Sequence, residues 1–433
     1  MLGSGPRDAP QRQRTLKATI DWSHELLTDQ QQRLFARLSV FAGGCTLEAA
    51  EAVCDAELDT LGALVDRSLV RSDSGRYWML QTLREYSLDV LVRSGEKDDV
   101  RRRHAQWFLE FAKQADKHLQ SADQANWLSR LREETDNLRA VLAWSLEHDT
   151  GAGVELIPTL WRAWLMQGQL DELIAWLEGA LANPTTTDLQ TRAIGLREYG
   201  YALDQVGEYT RAWEALQESL ELFRELGDRK CEAEVLLALS MVAHDRGSLE
   251  EALALANPAL ASFRELGERW WVAQALHLIG GFFRDNQDFQ RASSTLEEAL
   301  ATFDDLGDQN FSQMTAHDLG DLALDQGDAE RAGARYRRAL TATLEIGNQY
   351  GQCMCTAGLA CVAALRGDVS GSGRLWSVVE TAENRLRTPM HARERKRYLQ
   401  ILAPLTKDPR FQQGQEAGRD LSLDQAVHDL LSA

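Results

Sequence analysis

Between residues 193 and 367 the chain repeats itself every 40 residues. Gly207, Gly247, Gly327 and Gly367 form one column, with Gln287 as its exception. Gly227, Gly267, Gly307 and Gly347 form a second, and Leu220, Leu260, Leu300 and Leu340 a third. Ala212, Ala252, Ala292 and Ala332 make a fourth column, and Phe223, Phe263 and Phe303 a fifth. One such unit cannot bury its apolar face alone, whereas stacked copies share a continuous core. The period therefore points to a solenoid.

The columns also give the content of a unit. Residues 212–226 are apolar at helical spacing and contain no Pro. Gly227 suits a left-handed helix cap, because only Gly adopts positive φ without a steric penalty. Asp228, Glu268, Asp308 and Asn348 come next, as N-caps or as first-turn acids for a second helix. That helix runs to the Gly207 column, where Glu208, Ser248, Asp288 and Asp328 start another. Gly200, Ser240, Gly280 and Gly320 are small residues at positions where two helices cross closely. Ser219, Ala259, Ala299 and Ala339 serve the same end. This spacing resembles the tetratricopeptide repeat in a long variant. The resemblance covers four clear units, flanked by degenerate ones at residues 161–181 with Gly168 and 353–379 with Gly367. The Pro usual in that family after the second helix is replaced by a Leu-Gly-Asp type of turn.

The bulk numbers set limits on function. A chain of 433 residues leaves room for two to four domains. Its 47 Lys+Arg against 66 Asp+Glu give a net charge of −19, which is wrong for a surface built to lie on nucleic acid or an anionic membrane. Six Cys in this length do not make a disulfide framework, and a reduced, cytoplasmic setting fits. There is no 18-residue apolar run and no visible signal peptide. Residues 1–13, rich in Gly, Pro, Arg and Gln, read as a disordered leader.

Ahead of the repeats the period changes. Helices are expected over residues 14–27, 30–41, 47–53 and 58–68, with Gly43-Gly44 as a break and Thr46 as an N-cap. Residues 69–71 and 76–79 then read as two short strands around Ser72-Asp73-Ser74-Gly75. Helices followed by a β-hairpin make a winged-helix domain. The stretches RTLKATIDWSHELLTDQQQRLFARLSVFAGGCTLEAAEAVC and LGALVDRSLVRSDSGRYWMLQTLREYSLDVL resemble the winged-helix segment of bacterial STAND-type signalling ATPases. These include regulators of antibiotic clusters and LuxR-type activators. Arg102-Arg103-His104-Ala105 and residues 127–138 continue the pattern into a helical linker, and the tail from Phe411 resembles the end of such regulators. Those ATPases carry a P-loop, and this sequence holds no Gly-x-x-x-x-Gly-Lys-Ser/Thr. Gly371-Ser372-Gly373-Arg374 lacks the Lys and the preceding strand and reads as a turn. Met79-Leu80-Gln81 stands where related nucleotide switches have Met-His-Asp, so nucleotide contact from this domain is not expected.

The recognition helix of a winged helix would lie near residues 59–68, offering Arg67 but also Asp59 and Asp66. From residue 58 to 103, nine Lys/Arg meet eight Asp/Glu, without the basic stripe a DNA reader needs. DNA binding through this chain alone is not expected. Arg101-Arg102-Arg103 reads as a solvated helix start. Cys353, Cys355 and Cys361 lack zinc spacing and read as packed filler, so no metal and no cofactor are expected. No nucleophile elbow or Cys/His pair stands out, so no enzyme is expected. By the resemblance, the first helix of each unit lines a concave groove. The lining residues are Arg197, Tyr201 and Asp204; Leu237, Met241, His244 and Asp245; His277, Gly281, Arg284 and Asp285; and His317, Asp321 and Asp325. Asp245, Asp285 and Asp325 share a column near helix C-termini, where the helix dipole disfavours a negative charge. Each either meets a ligand bearing positive or donor groups, or holds a neighbouring repeat.

The expectation is an all-α fold, a tetratricopeptide superhelical solenoid preceded by a small winged helix with a β-hairpin. Its domains are a leader (1–13), the winged helix (14–100), a helical linker with a degenerate first repeat (101–190), the repeats (191–368), and a degenerate repeat with a C-terminal helical cap (369–433). The resemblance implies a non-catalytic sensor and protein-interaction module of a STAND-type transcriptional regulator. The groove would take a peptide, protein or small inducer, and an NTPase domain could lie on another chain. The alternative is a stand-alone winged-helix DNA-binding regulator with a repeat sensor. No membrane partner is expected.

Overall fold

A computed structural model describes residues 11–119, 123–149, 151, 153–154, 156–157, 170–182, 188–386, 390 and 392–432. Residues 1–10 of the expected leader and residues 161–169 of the first degenerate repeat, with Gly168, lie outside the described residues. The chain forms two compact units. One is Met1–Lys113 with Arg132–Leu156, and the other is Gln114–Leu131 with Ile157–Ala433. No described helix is long and apolar enough to cross a membrane.

The first unit begins with α1 (Gln11–Glu25), α2 (Asp29–Arg37) and a 3-10 turn (Leu38–Val40). A capping box starts α2: Gln31 N donates to Thr28 Oγ1 at 3.3 Å, and Thr28 N donates to Gln31 Oε1 at 3.1 Å. Strand β1 (Cys45–Thr46) leads into α3 (Leu47–Cys54), which Thr46 caps as expected, accepting from Ala49 N. Then come α4 (Leu58–Asp66), β2 (Arg71–Asp73), β3 (Arg76–Trp78), α5 (Gln81–Ser94), α6 (Lys97–His118), α7 (Gln124–Glu133), most of which belongs to the second unit, and α8 (Thr135–His148). The sheet order is β1-β3-β2, antiparallel, with Cys45 opposite Tyr77 and Asp73 opposite Arg76. The hairpin is tighter than the four-residue turn expected. Only Ser74 and Gly75 form the loop, both at positive φ (50° and 81°), the conformation whose twist suits two flanking strands. The strands shift along the chain accordingly. Strand β1 has too little sequence to show a period and was not foreseen.

The second unit continues with α9 (Leu170–Leu181) and then alternates in strict register. Its first helices are α10 (Leu189–Gln205), α12 (Arg229–Asp245), α14 (Arg269–Asp285), α16 (Gln309–Asp325) and α18 (Gln349–Leu365). The paired second helices are α11 (Tyr209–Leu226), α13 (Leu249–Leu266), α15 (Phe289–Leu306), α17 (Ala329–Glu345) and α19 (Val369–Leu386). Three short helices follow: α20 (Ala392–Leu402), α21 (Pro409–Gly418) and α22 (Leu423–Ser432).

The columns acquire physical reasons. Gly227 sits at φ 68°; its N–H bonds Arg224 O, and Asp228 N bonds Phe223 O, closing the helix end in a left-handed cap. The next helix is capped by Asp228, which accepts from Cys231 N at 3.0 Å. Asp308 and Asn348 do the same for Phe311 and Gly351, whereas Glu268 and Ser248 make no side-chain cap bond. Gly280 lies in the crossing of α14 and α15, where an added Cβ would meet Leu296 Cγ at 2.6 Å. The Ala212 and Phe223 columns are fully buried and form the spine of the core. Gln124 ties residues 114–131 to the repeats, donating to Asp308 Oδ1 at 2.9 Å and accepting from Asn310 N at 2.8 Å.

The segment Gly371–Arg374 is not the turn its composition suggested. It lies within helix α19. Gly373 and Gly414 stand where α19 crosses α21, and a Cβ on either would collide with backbone carbonyls, those of Phe411 and Ser370. Tertiary packing overrides the local preference of Gly here.

Candidate functional site: the face of the first helices

All fourteen candidate residues lie on the first helices of the units, as the period requires. The structure joins them into a ladder of charged rungs, each reaching from one repeat to the next. On α10, Arg197 donates to Glu198 at 2.8 and 3.0 Å and pairs with Glu234 on α12. Burial opposes its charge, but the two carboxylates outweigh that cost and hold its pKa above the usual guanidinium value. The Tyr201 hydroxyl reaches Glu234 O at 3.5 Å, and burial pushes that phenol up. Asp204 is buried and Met241 half-buried. His244 stacks on Phe282 at 4.5 Å, with Nε2 3.5 Å from Asp285 and Nδ1 3.7 Å from Asp245.

The rungs tighten toward the C-terminus. His277 Nδ1 lies 3.0 Å from Thr315 Oγ1 and Nε2 3.5 Å from Asp318. Burial lowers its pKa, against the pull of Asp318, so the ring is neutral at pH 7. Arg284 donates to Asp318 at 2.8 Å and to Asp321 and Asp285 at 3.4 Å. Asp321 is fully buried and accepts from Tyr336 (2.6 Å), Tyr398 (2.8 Å) and Arg397 (3.0 Å). Burial alone would raise its pKa, yet His317, Arg284 and Arg397 hold it below the usual carboxylate value. Arg397, on α20, also bonds Asp285 at 3.0 Å and lies 3.3 Å from Asp325. His317 meets the Tyr398 hydroxyl at 3.0 Å. His277 and His317 therefore share a sequence column but serve different partners.

Asp285, Asp321 and Asp325 thus converge on a cation from the chain's own C-terminal region. This answers the question posed by acids at helix C-termini: for Asp285 and Asp325 the compensating charge is Arg397. Sequence reasoning missed Arg397, Tyr398, Asp318 and Glu234. The run Arg393-Glu394-Arg395-Lys396-Arg397-Tyr398 was a signal in plain view, because a basic cluster in so acidic a chain needs an acidic partner. His317, Asp318 and Asp321 offer ligand atoms within 4.8 Å of one another, spacing that could hold a cation. Two guanidiniums already supply the positive charge there. Cys353, Cys355 and Cys361 are buried, and burial raises all three thiols.

The same face has a second, more accessible part. Gln274 and Met314 stand 40 residues apart, as do Met241 and Gly281, and Leu278 lies one helical turn before Gly281. Met314 is 39% exposed, and Met241, Gln274 and Leu278 are half-buried. A Cβ added at Gly281 would meet nothing within 4 Å, in contrast to its neighbour Gly280. Gln274 Oε1 is buried with no hydrogen-bond partner among the described residues.

No family model matches the chain. It is 36% identical over 276 residues, 59% of its length, to a Mycobacterium tuberculosis protein provisionally named an HTH-type transcriptional regulator. It is 39% identical over 116 residues, 24% of its length, to an uncharacterized M. tuberculosis protein. In both cases the match covers 30% of the relative's own length. Among solved structures, a Rap protein complexed with competence and sporulation factor matches with a TM-score of 0.50 at 13% identity, over 75% of this chain and 98% of that one. A STAND protein with a tetratricopeptide repeat sensor from Pyrococcus horikoshii matches with a TM-score of 0.49 at 15% identity, over 99% of this chain and 68% of that one. The chain is a tetratricopeptide-like helical solenoid preceded by helices and a small three-stranded sheet, and in sequence it is similar to part of a mycobacterial regulator.

Proposed function

We propose that this chain is the non-catalytic sensor and protein-interaction module of a STAND-type transcriptional regulator. The similarity to the HTH-type regulators supports the regulatory setting, and the dense winged-helix resemblance supports the STAND class. The observation that carries the binding role is the contrast at Gly280 and Gly281. One glycine is packed against the second helix, whereas a side chain at the next would meet nothing within 4 Å, on the same helix that carries half-buried Leu278 and the unpartnered Gln274 side-chain carbonyl. Apolar floor with a few unpaired polar atoms is the make-up of a recognition site. The occupant is a peptide or protein segment, or a small inducer. The unit before the repeats would relay occupancy to a nucleotide-binding domain, in the same protein or on another chain.

Gly281→Phe tests this reading, since the new ring fills the open space without entering the core. Native mass spectrometry of protein purified from the source cell would compare the variant with the natural chain. A ligand retained by the natural chain and lost by the variant, at equal melting temperature, is the expected result. Identical ligand retention would remove the site. A second reading, a stand-alone DNA-binding regulator, draws on the HTH name of the relatives. Tight DNA binding by this chain that weakens steeply with salt would favour it over the sensor role.

A further inference from the structure

Within the first unit, α5, the 3-10 turn, α6 and α8 line a cavity of about 290 Å³ that is open on one side to solvent. Its polar lining is mostly donors: Arg84, Arg101, His104 and Trp144, with Glu147 as the one carboxylate. The Arg84 Nε, His104 Nε2 and Trp144 Nε1 atoms are buried and have no hydrogen-bond partner among the described residues. His104 is only 3% exposed, wedged edge-on against Phe41 at 5.0 Å and tilted on Phe108 at 4.8 Å. Neighbouring arginines behave differently: Arg103 pairs with Asp55 at 2.8 Å, and Arg102 with Asp99 at 3.4 Å. Arg84 and Arg101 make no ion pair among the described residues. In a chain of net charge −19, two unpaired guanidiniums facing one cavity are out of character.

Buried donors left unpaired are costly, and a cavity that collects them is organised for an acceptor. Guanidinium forks suit phosphate and carboxylate oxygens, and a neutral His and an indole N–H can complete such a shell. Val40, Leu88 and Val141 form the apolar part of the wall, so the space suits more than a bare ion.

We propose that this cavity binds a small organic anion, a phosphate or carboxylate group carried on an apolar body. Its oxygens would accept from Arg84, Arg101, His104 and Trp144, and its body would lie against Val40, Leu88 and Val141. His104 fits the part, because burial outweighs its side-chain hydrogen bond with Asn137 and, with Arg101 adding to it, pushes its pKa down to about 3, which leaves the ring neutral. The site is independent of the repeat groove.

The test uses the full chain labelled with 15N-tryptophan, the Trp144 indole signal being assigned by Trp144→Phe. Phenyl phosphate, benzoate and inorganic phosphate are titrated separately. The expected result is a saturable shift of the Trp144 signal with phenyl phosphate or benzoate, whichever binds tighter naming the anion. The Arg84→Gln/Arg101→Gln variant should weaken it by roughly tenfold or more at unchanged melting temperature. No saturable shift up to about 10 mM of any probe would show a water-filled cavity and overturn the proposal. Equal affinity of the double variant would also overturn it. Inorganic phosphate binding as tightly as phenyl phosphate would overturn the organic ligand.

Discussion

Two sets of charge pairs run along the repeats, and they do opposite kinds of work. Near the helix ends, Arg229 pairs with Glu265 at 2.6 Å, and Arg269 with Asp305 one repeat later. Gln309 reaches Glu345 in the same register. These side chains are about 60% exposed where charged. On the first-helix face, Arg284, Asp321 and Arg397 are largely or wholly buried. The outer set follows the period, so the sequence pattern alone generates it. The inner set follows it only in part and ends on a residue, Arg397, from outside the repeats. Exposed pairs are screened and expendable. Buried ones cannot lose a partner cheaply, because the remaining charge has no water to turn to.

The sharpest way to break this comparison is Asp321→Ala. It strands Arg284 and Arg397 and should cost about 3–5 kcal/mol in chemical denaturation. A loss comparable to a surface change would place Asp321 outside the stabilising network. The acid response follows from its lowered pKa. The stability Asp321 contributes is fully present above the unfolded carboxylate value, about 3.9, and is lost as pH falls through the lower folded value.

In the first unit, His104 should dominate a different window. It is neutral when folded and titrates at 6.5 when unfolded, so the unfolded state gains the proton first on acidification. Stability should fall by about 1.4 kcal/mol per pH unit between pH 6.5 and about 3, and the slope should flatten in His104→Gln. Equal slopes in the two proteins would mean that the ring is solvated.

Smaller effects sharpen the contrast. Gln287 holds φ 62° at the one place in its column where Gly is missing. Gln287→Gly should raise stability by up to about 1 kcal/mol by relieving the left-handed strain. Arg229→Ala, in the outer set, should change it by no more than about 0.5 kcal/mol. A loss several times larger would erase the distinction between the two sets.

Most of the architecture was legible in the residues. The period gave the paired helices; Gly227 and its equivalents marked the caps; Gly280 marked a helix crossing. The site was legible only as a set of columns. What the columns do depends on Arg397 and Tyr398, which are 112 and 77 residues along the chain from their partners Asp285 and Asp321 and obey no repeat. Glu234 and Asp318 were in register but passed over beside more conspicuous neighbours. At Gly373, composition argued for a turn while the close crossing with the helix of Gly414 required helix, and only the packing partner decides between them.

The claim at the centre of this account is that the acids of the first-helix face near α14 and α16 are held by Arg397, which leaves recognition to the open stretch at Gly281. A double-mutant cycle of Asp285→Ala with Arg397→Ala measures that bond directly. The account expects a coupling of about 1 kcal/mol or more in unfolding free energy. A coupling near zero would contradict it, by showing that Asp285 is held in place without Arg397.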